Sequence, residues 1–139
     1  MDIWSKEKRS LVMSRIRSKN TKPEIVLRSA LFKLGFRFRI HRKDLPGKPD
    51  IVFSKQRVVV LVQGCFWHYH QNCQDGRIPK SNFQFWKDKL NRNVTRDIRN
   101  RALLESLKWR VITIWECEVE KSLPNTLQRI TSMLTSITF

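Results

Sequence analysis

Val58–Val59–Val60–Leu61–Val62 is an unbroken apolar run, set between a turn at Ser54–Arg57 and a glycine at position 64. A strand of that composition has no face to offer to water, so it has to be covered on both sides. That requirement points to a sheet with helices packed on it. The rest of the chain supplies strands and helices in a matching order.

Thr21–Lys22–Pro23–Glu24 reads as a helix start. The threonine hydroxyl can cap the Glu24 amide, the Glu24 carboxylate can reach back to Thr21, and proline fits the first turn. Leu27, Ala30, Leu31 and Leu34 then recur at helical spacing until Gly35 ends the helix. Phe36, Phe38 and Ile40 alternate with Arg37, Arg39 and His41, which predicts a half-buried strand with a basic outer face. Leu45–Pro46–Gly47–Lys48–Pro49 is a turn, and Asp50 opens a strand over Ile51–Val52–Phe53. Ser81–Asn82–Phe83–Gln84 repeats the capping pattern, and Trp86, Leu90, Val94 and Ile98 follow on one helical stripe. The stretch from Trp109 to Trp115 alternates and is apolar on both sides, which predicts a central strand. A last helix opens near Pro124 and buries Leu127, Ile130, Leu134 and Ile137. Residues 5–18 read either as a basic helix or as an arm that orders on binding. The expected fold is α/β, a mixed sheet flanked by helices, in one domain over residues 1–139 with 1–20 as an N-terminal arm or helix.

Charge narrows the function. The chain carries 28 Lys and Arg against 12 Asp and Glu, a formal +16. That exceeds the ~2 to 8 that solubility asks of a small domain and implies a polyanionic partner. No run of about 18 apolar residues is available to span a membrane, and the basic segments lack a long lipid-facing side. The N-terminus is polar, without an apolar signal region, so a cytoplasmic protein is expected. Three cysteines cannot all pair, and beside histidines they read better as metal ligands.

The chemistry concentrates in Gly64–Cys65–Phe66–Trp67–His68–Tyr69–His70–Gln71–Asn72–Cys73, at the exit of the apolar run. Cys65, His70, Cys73 and the distant Cys117 form a four-ligand set of the kind that holds structural zinc. Asp50 stands behind a proline at a strand start, with Glu24 on the preceding helix; hard oxygen donors of this sort bind Mg²⁺. Glu24 is also explained as a helix cap. His68 can act as a proton acceptor or as a further ligand near the zinc. Phe66 and Trp67 lie beside the ligands, and Trp86 shares a helix with Lys87, Lys89 and Arg92. Apolar groups flanked by cations can enter and unstack a base step, although core packing is the commoner fate of a tryptophan. Trp109 and Trp115 read as core.

Taken together, Pro23–Glu24, Leu45–Pro46–Gly47–Lys48–Pro49–Asp50, Gly64–Cys65–Phe66–Trp67–His68, Phe85–Trp86, Asn93 with Arg96–Asp97, and Trp109–Arg110–Val111 through Trp115–Glu116–Cys117 resemble the very short patch repair (Vsr) DNA mismatch endonucleases. The resemblance implies a restriction-endonuclease-like core that nicks one strand on the 5′ side of the T in a T:G mismatch, the lesion left by 5-methylcytosine deamination. It implies that Asp50 and the backbone carbonyl of Val62 bind Mg²⁺, that His68 is the general base, and that Glu24 orients the water network about the metal. Cys65, His70, Cys73 and Cys117 are expected to hold Zn²⁺. Phe66, Trp67 and Trp86 are expected to wedge beside the mismatch, with Met13 opposite, and Lys89 and Asn93 to contact the bases. Asp97 matches a family position, and we expect it to orient an active-site group. The family commonly has a histidine where Gln63 stands, a side chain that cannot take a proton at neutral pH. Gln71–Asn72 reads as a small insertion before Cys73. A monomer and possible mismatch-repair pathway partners are also expected. The rival reading is a zinc-stapled DNA-binding module without catalysis. A zinc nucleobase deaminase is disfavoured, because the H-x-E with P-C-x-x-C pattern is lacking.

Overall fold

The computed structural model describes residues 21–71 and 73–135. The expected N-terminal helix or arm, Met13 and Ile137 lie outside them. The elements run α1 (Lys22–Lys33), β1 (Arg39–Ile40), β2 (Ile51–Phe53), β3 (Val58–Gln63), a 3-10 turn (Gln74–Gly76), α2 (Phe83–Ser106), β4 (Arg110–Trp115), α3 (Glu116–Lys121) and α4 (Leu123–Thr135). The sheet order is β1-β2-β3-β4. β1 and β3 each run antiparallel to β2, and β3 pairs in parallel with β4. The long helix α2 makes the crossover that a parallel pair requires.

The apolar run of β3 is covered on both sides, as its composition demands. Val58 and Val60 face a cluster with Leu27, Leu31, Ile51, Phe53, Ile112, Ile114, Val119, Ile130 and Leu134. That layer is built by α1, α3 and α4. Val59 faces the other way, into a cluster with Leu45, Val52, Leu104, Trp109 and Val111 under α2. Fully burying a valine side chain stabilises by ~1.5–3 kcal/mol, so a charge introduced at Val59 or Val60 would be intolerable.

Four local expectations are corrected. β4 is not a central strand: it lies at the edge of the four strands, and its two apolar sides are explained by helices above and below it. β1 is only two residues long; Ile40 is exposed, while Phe36 and Phe38 reach the core from the loop before it and meet Phe53 edge-on. Leu34 and Ile98 are exposed, because α1 ends at Lys33 and α2 turns that part of its stripe to solvent. Neither helix start follows its expected cap: the first lacks the threonine bond, and the second takes Asn82, not Ser81, as its N-cap. Thr21 makes no side-chain cap bond, and α2 starts from Asn82 in a left-handed conformation while the Gln84 amide donates to Asp88. The short helix α3 had no sequence signal strong enough to separate it from β4 and α4.

Candidate active site and metal centre

β3 and β4 end together: Gln63 is the partner of Trp115. Two residues beyond each of these stands a cysteine, Cys65 and Cys117, so the parallel register carries them side by side. The chain after Cys65 turns tightly, with His68 N–H donating to the Gly64 carbonyl and His70 N–H to the Cys65 carbonyl, 3.1 and 2.9 Å. This returns His70 toward Cys117, whose sulfur is 3.6 Å from His70 Nδ1. The His70 ring stacks on Trp115 with centroids 4.0 Å apart and planes within 9°. Gly76 closes the loop after Cys73; a Cβ there would sit 2.3 Å from the His70 carbonyl oxygen. Glu116, read in the sequence only within the Trp115–Glu116–Cys117 motif and given no role there, accepts the Cys65 N–H at 3.0 Å. The result is that donor atoms of Cys65, His70, Cys73 and Cys117 all lie within 4.8 Å of one another. Cys73 reaches the cluster with Gln71–Asn72, the expected small insertion or shift, ahead of it. Burial pushes the Cys65 and Cys117 thiols up, so a cation that binds them as thiolates would displace their protons. Three sulfurs and one imidazole nitrogen suit tetrahedral zinc in type and number.

A second cluster sits at the start of β2. Glu24, Asp50 and His41 also place their donor atoms within 4.8 Å of one another. Glu24 is 2% exposed. Its Oε1 is 3.1 Å from His41 Nε2, and Arg28 approaches Oε2 at 4.0 Å. Asp50 Oδ2 accepts the Val62 N–H at 2.8 Å. Burial, followed by the facing Glu24 carboxyl, pushes the Asp50 carboxyl up to about 8 despite that bond. Two desolvated carboxyl groups facing each other are poorly stable as a pair of anions, and a divalent cation relieves that cost. The seat therefore fits a hard cation. Glu24 was legible as a cap, but here its carboxylate faces the site. His41 was read as one residue of a basic strand face. No local pattern could have found it, since a positive φ of 51° turns it out of the strand.

His68 joins neither cluster. Its Nδ1 lies 2.5 Å from Asp97 Oδ2 on α2, leaving Nε2 available. Gln63 is buried at the end of β3. Phe66, Trp67, Trp86 and Phe85 form a half-exposed aromatic group, with edge-on contacts between centroids 5.1–5.9 Å apart. Lys89 stands over three of these rings, at 5.6–6.0 Å. Asn93 donates to the Trp67 carbonyl at 2.9 Å and so holds that loop to α2. Trp109 is core, whereas Trp115 is only partly buried and backs the sulfur cluster. Further along α2, Arg92, Arg96 and Arg99 line a shallow depression with Asn91 and Thr95.

A family model described as DNA mismatch endonuclease Vsr matches residues 1–75. The chain is 50% identical over 118 residues to the type II nicking enzyme V.XorIIP of Xanthomonas oryzae pv. oryzae, covering 85% of this chain and 86% of that protein. It is 50% identical over 119 residues to the type II nicking enzyme V.NmeAIP of Neisseria meningitidis, covering 86% and 84%. It is 40% identical over 116 residues to the DNA mismatch endonuclease Vsr of Escherichia coli K12, covering 84% and 74%. These relatives and the matching model define a DNA endonuclease, which removes the non-catalytic module from consideration. The chain belongs to the Vsr family of DNA mismatch endonucleases.

Proposed function

We propose that this endonuclease nicks one strand of duplex DNA 5′ of the T in a T:G mismatch, with Mg²⁺ at Asp50 and Zn²⁺ as a structural ion. The observation that carries the chemistry is the facing of a buried Glu24 and a partly buried Asp50 beside Val62. Continuing the β2–β3 register by two residues sets Pro49 opposite Val62. Proline has no N–H to give to the Val62 carbonyl, so that oxygen is left for the cation. When bound, Mg²⁺ offsets charge on the phosphate under attack.

The protein's own groups do the rest. His68 Nε2 takes a proton from the attacking water while Asp97 holds Nδ1 and stabilises the charged ring. The water oxygen bonds to phosphorus, the bond to the 3′ oxygen breaks, that oxygen takes a proton from solvent water, and a 5′-phosphate and a 3′-hydroxyl result. Glu24 orients the water, and Gln63 offers hydrogen bonds to a phosphate oxygen but no proton acceptor. The zinc set of Cys65, His70, Cys73 and Cys117 fixes the loop that carries Phe66, Trp67 and His68. Phe66, Trp67 and Trp86 enter the mismatched step from one side and Met13 from the other, with Lys89 and Asn93 against the bases. Arg92, Arg96 and Arg99 suit a phosphate track along α2. Residues 1–139 act as one domain, monomeric, with residues 1–20 as a DNA-binding arm and a restriction-endonuclease-like core. Among the described residues no helix is long and apolar enough to cross a membrane. The DNA substrate argues for work in the cytoplasm, with mismatch-repair proteins as possible partners.

The test is nicking of a T:G duplex against its T:A counterpart, with Mg²⁺ or with EDTA, by the wild type and by Asp50→Ala. Mismatch-dependent, Mg²⁺-dependent nicking that Asp50→Ala abolishes while DNA binding persists is the expected result. Equal cutting of both duplexes rejects the specificity. Nicking that survives Asp50→Ala rejects the metal seat.

A further inference from the structure

We propose that His41 is a ligand of the active-site cation, so that the seat is a Glu–His–Asp set that takes Mn²⁺ in preference to Mg²⁺. This rests on the metal-dependent reading above and adds a donor which that reading leaves out. The donor atoms of Glu24, His41 and Asp50 lie within 4.8 Å of one another, which approaches the span of a single coordination shell. His41 is brought there by an unusual backbone. Its φ of 51° lies in the left-handed region, where residues other than glycine seldom sit and where a strained conformation points to a functional demand. Its N–H donates to the Asp50 carbonyl at 3.1 Å, so the two proposed ligands are tied through one ladder bond. Its side chain is 17% exposed, shielded enough to lose most of its water and open enough to receive an ion.

The donor chemistry sets the consequence. Mg²⁺ favours all-oxygen shells, whereas imidazole nitrogen raises the affinity of Mn²⁺ and the later divalent ions. A histidine that only neutralised Glu24 would affect all divalent ions alike.

The experiment uses the zinc-loaded full chain. Mn²⁺ is titrated by the loss of the free-ion paramagnetic resonance signal, and Mg²⁺ by calorimetry, for wild type, His41→Gln and Asp50→Ala. His41→Gln keeps an amide donor toward Glu24 and removes the ring nitrogen. It should weaken Mn²⁺ by about 10-fold or more and Mg²⁺ by less than about 3-fold. Equal losses for both ions, or no loss, overturn the proposal. If circular dichroism shows His41→Gln unfolded, His41→Asn, which suits a left-handed backbone, gives the same readout. Asp50→Ala should abolish binding of both ions. Undiminished binding in Asp50→Ala would instead overturn the metal seat itself, separately from the role of His41.

Discussion

Replacing Asp50 by Asn should make the protein, kept zinc-loaded but free of other divalent ions, more stable at pH 8 than the wild type is, and no more stable at pH 4. Burial and Glu24 raise the Asp50 carboxyl from 3.8 to about 8. Between those values the folded state retains a proton that the unfolded chain has released, so stability falls as pH rises. The penalty is absent below about pH 4, grows through the window and levels off above about 8. A shift of about four units corresponds to a ceiling of ~5–6 kcal/mol. Asp50 keeps part of its surface in water, so we expect about half of that, ~2–3 kcal/mol. For a chain of this size the difference is worth roughly 6–12 °C in Tm. The assay is urea unfolding from pH 5 to 8.5, scored as wild type minus Asp50→Asn, which cancels titration of groups remote from the Asp50–Glu24 pair and reads the pair as a unit. Saturating Mg²⁺ should then restore the wild type at pH 8, by ~2.7 kcal/mol at a hundred times Kd, and do little for the variant. Parallel pH slopes for the two proteins would refute the idea that this carboxyl pair carries a strained charge.

Gly76→Ala should lower zinc content below one equivalent per chain by elemental analysis and shift Tm down by several degrees, because its methyl group would overlap the His70 carbonyl. A fully loaded, unshifted Gly76→Ala would contradict the loop geometry. Asp97→Asn should cut the nicking rate about 10²-fold or more with little change in DNA affinity, since it removes the anion holding His68; an equal loss in KM and kcat terms would indicate a misfolded loop instead. Gln63→His should raise the rate or move its pH profile, and an unchanged profile shows that position 63 does not touch the reaction. DNA binding should weaken with salt at a log–log slope near −5 if about six phosphates are contacted, and a flat dependence would contradict the role given to the positive charge.

Much of the fold was legible because one strand dictated it. Val58–Val62 had to be covered twice, and α2 on one side with α1, α3 and α4 on the other does so. β4 showed where periodicity stops being informative: burial on both faces describes its neighbours above and below, not its place in the strand order. The sulfur cluster was legible because its ligands are chemically conspicuous and all three cysteines belong to it. The acidic seat was only half legible. Asp50 announced itself through Pro49, whereas Glu24 fits a capping box and His41 fits a strand face. Those local readings lost to a tertiary one, in which a left-handed residue at 41 and an uncapped Thr21 let both side chains meet Asp50.

The pairing of Gln63 with Trp115 has a consequence for how the molecule assembles. Cys65 and Cys117 become neighbours only once the two strands are aligned in that register. A slip of one residue would move the two cysteines about 3.3 Å out of step along the strands. On the proposed zinc reading, ion capture would proofread strand alignment: it would reward a single arrangement of a slow, long-range contact and lock it. Chains that pair wrongly would remain metal-poor, so the rate of zinc uptake during refolding should report the joining of the molecule's two halves.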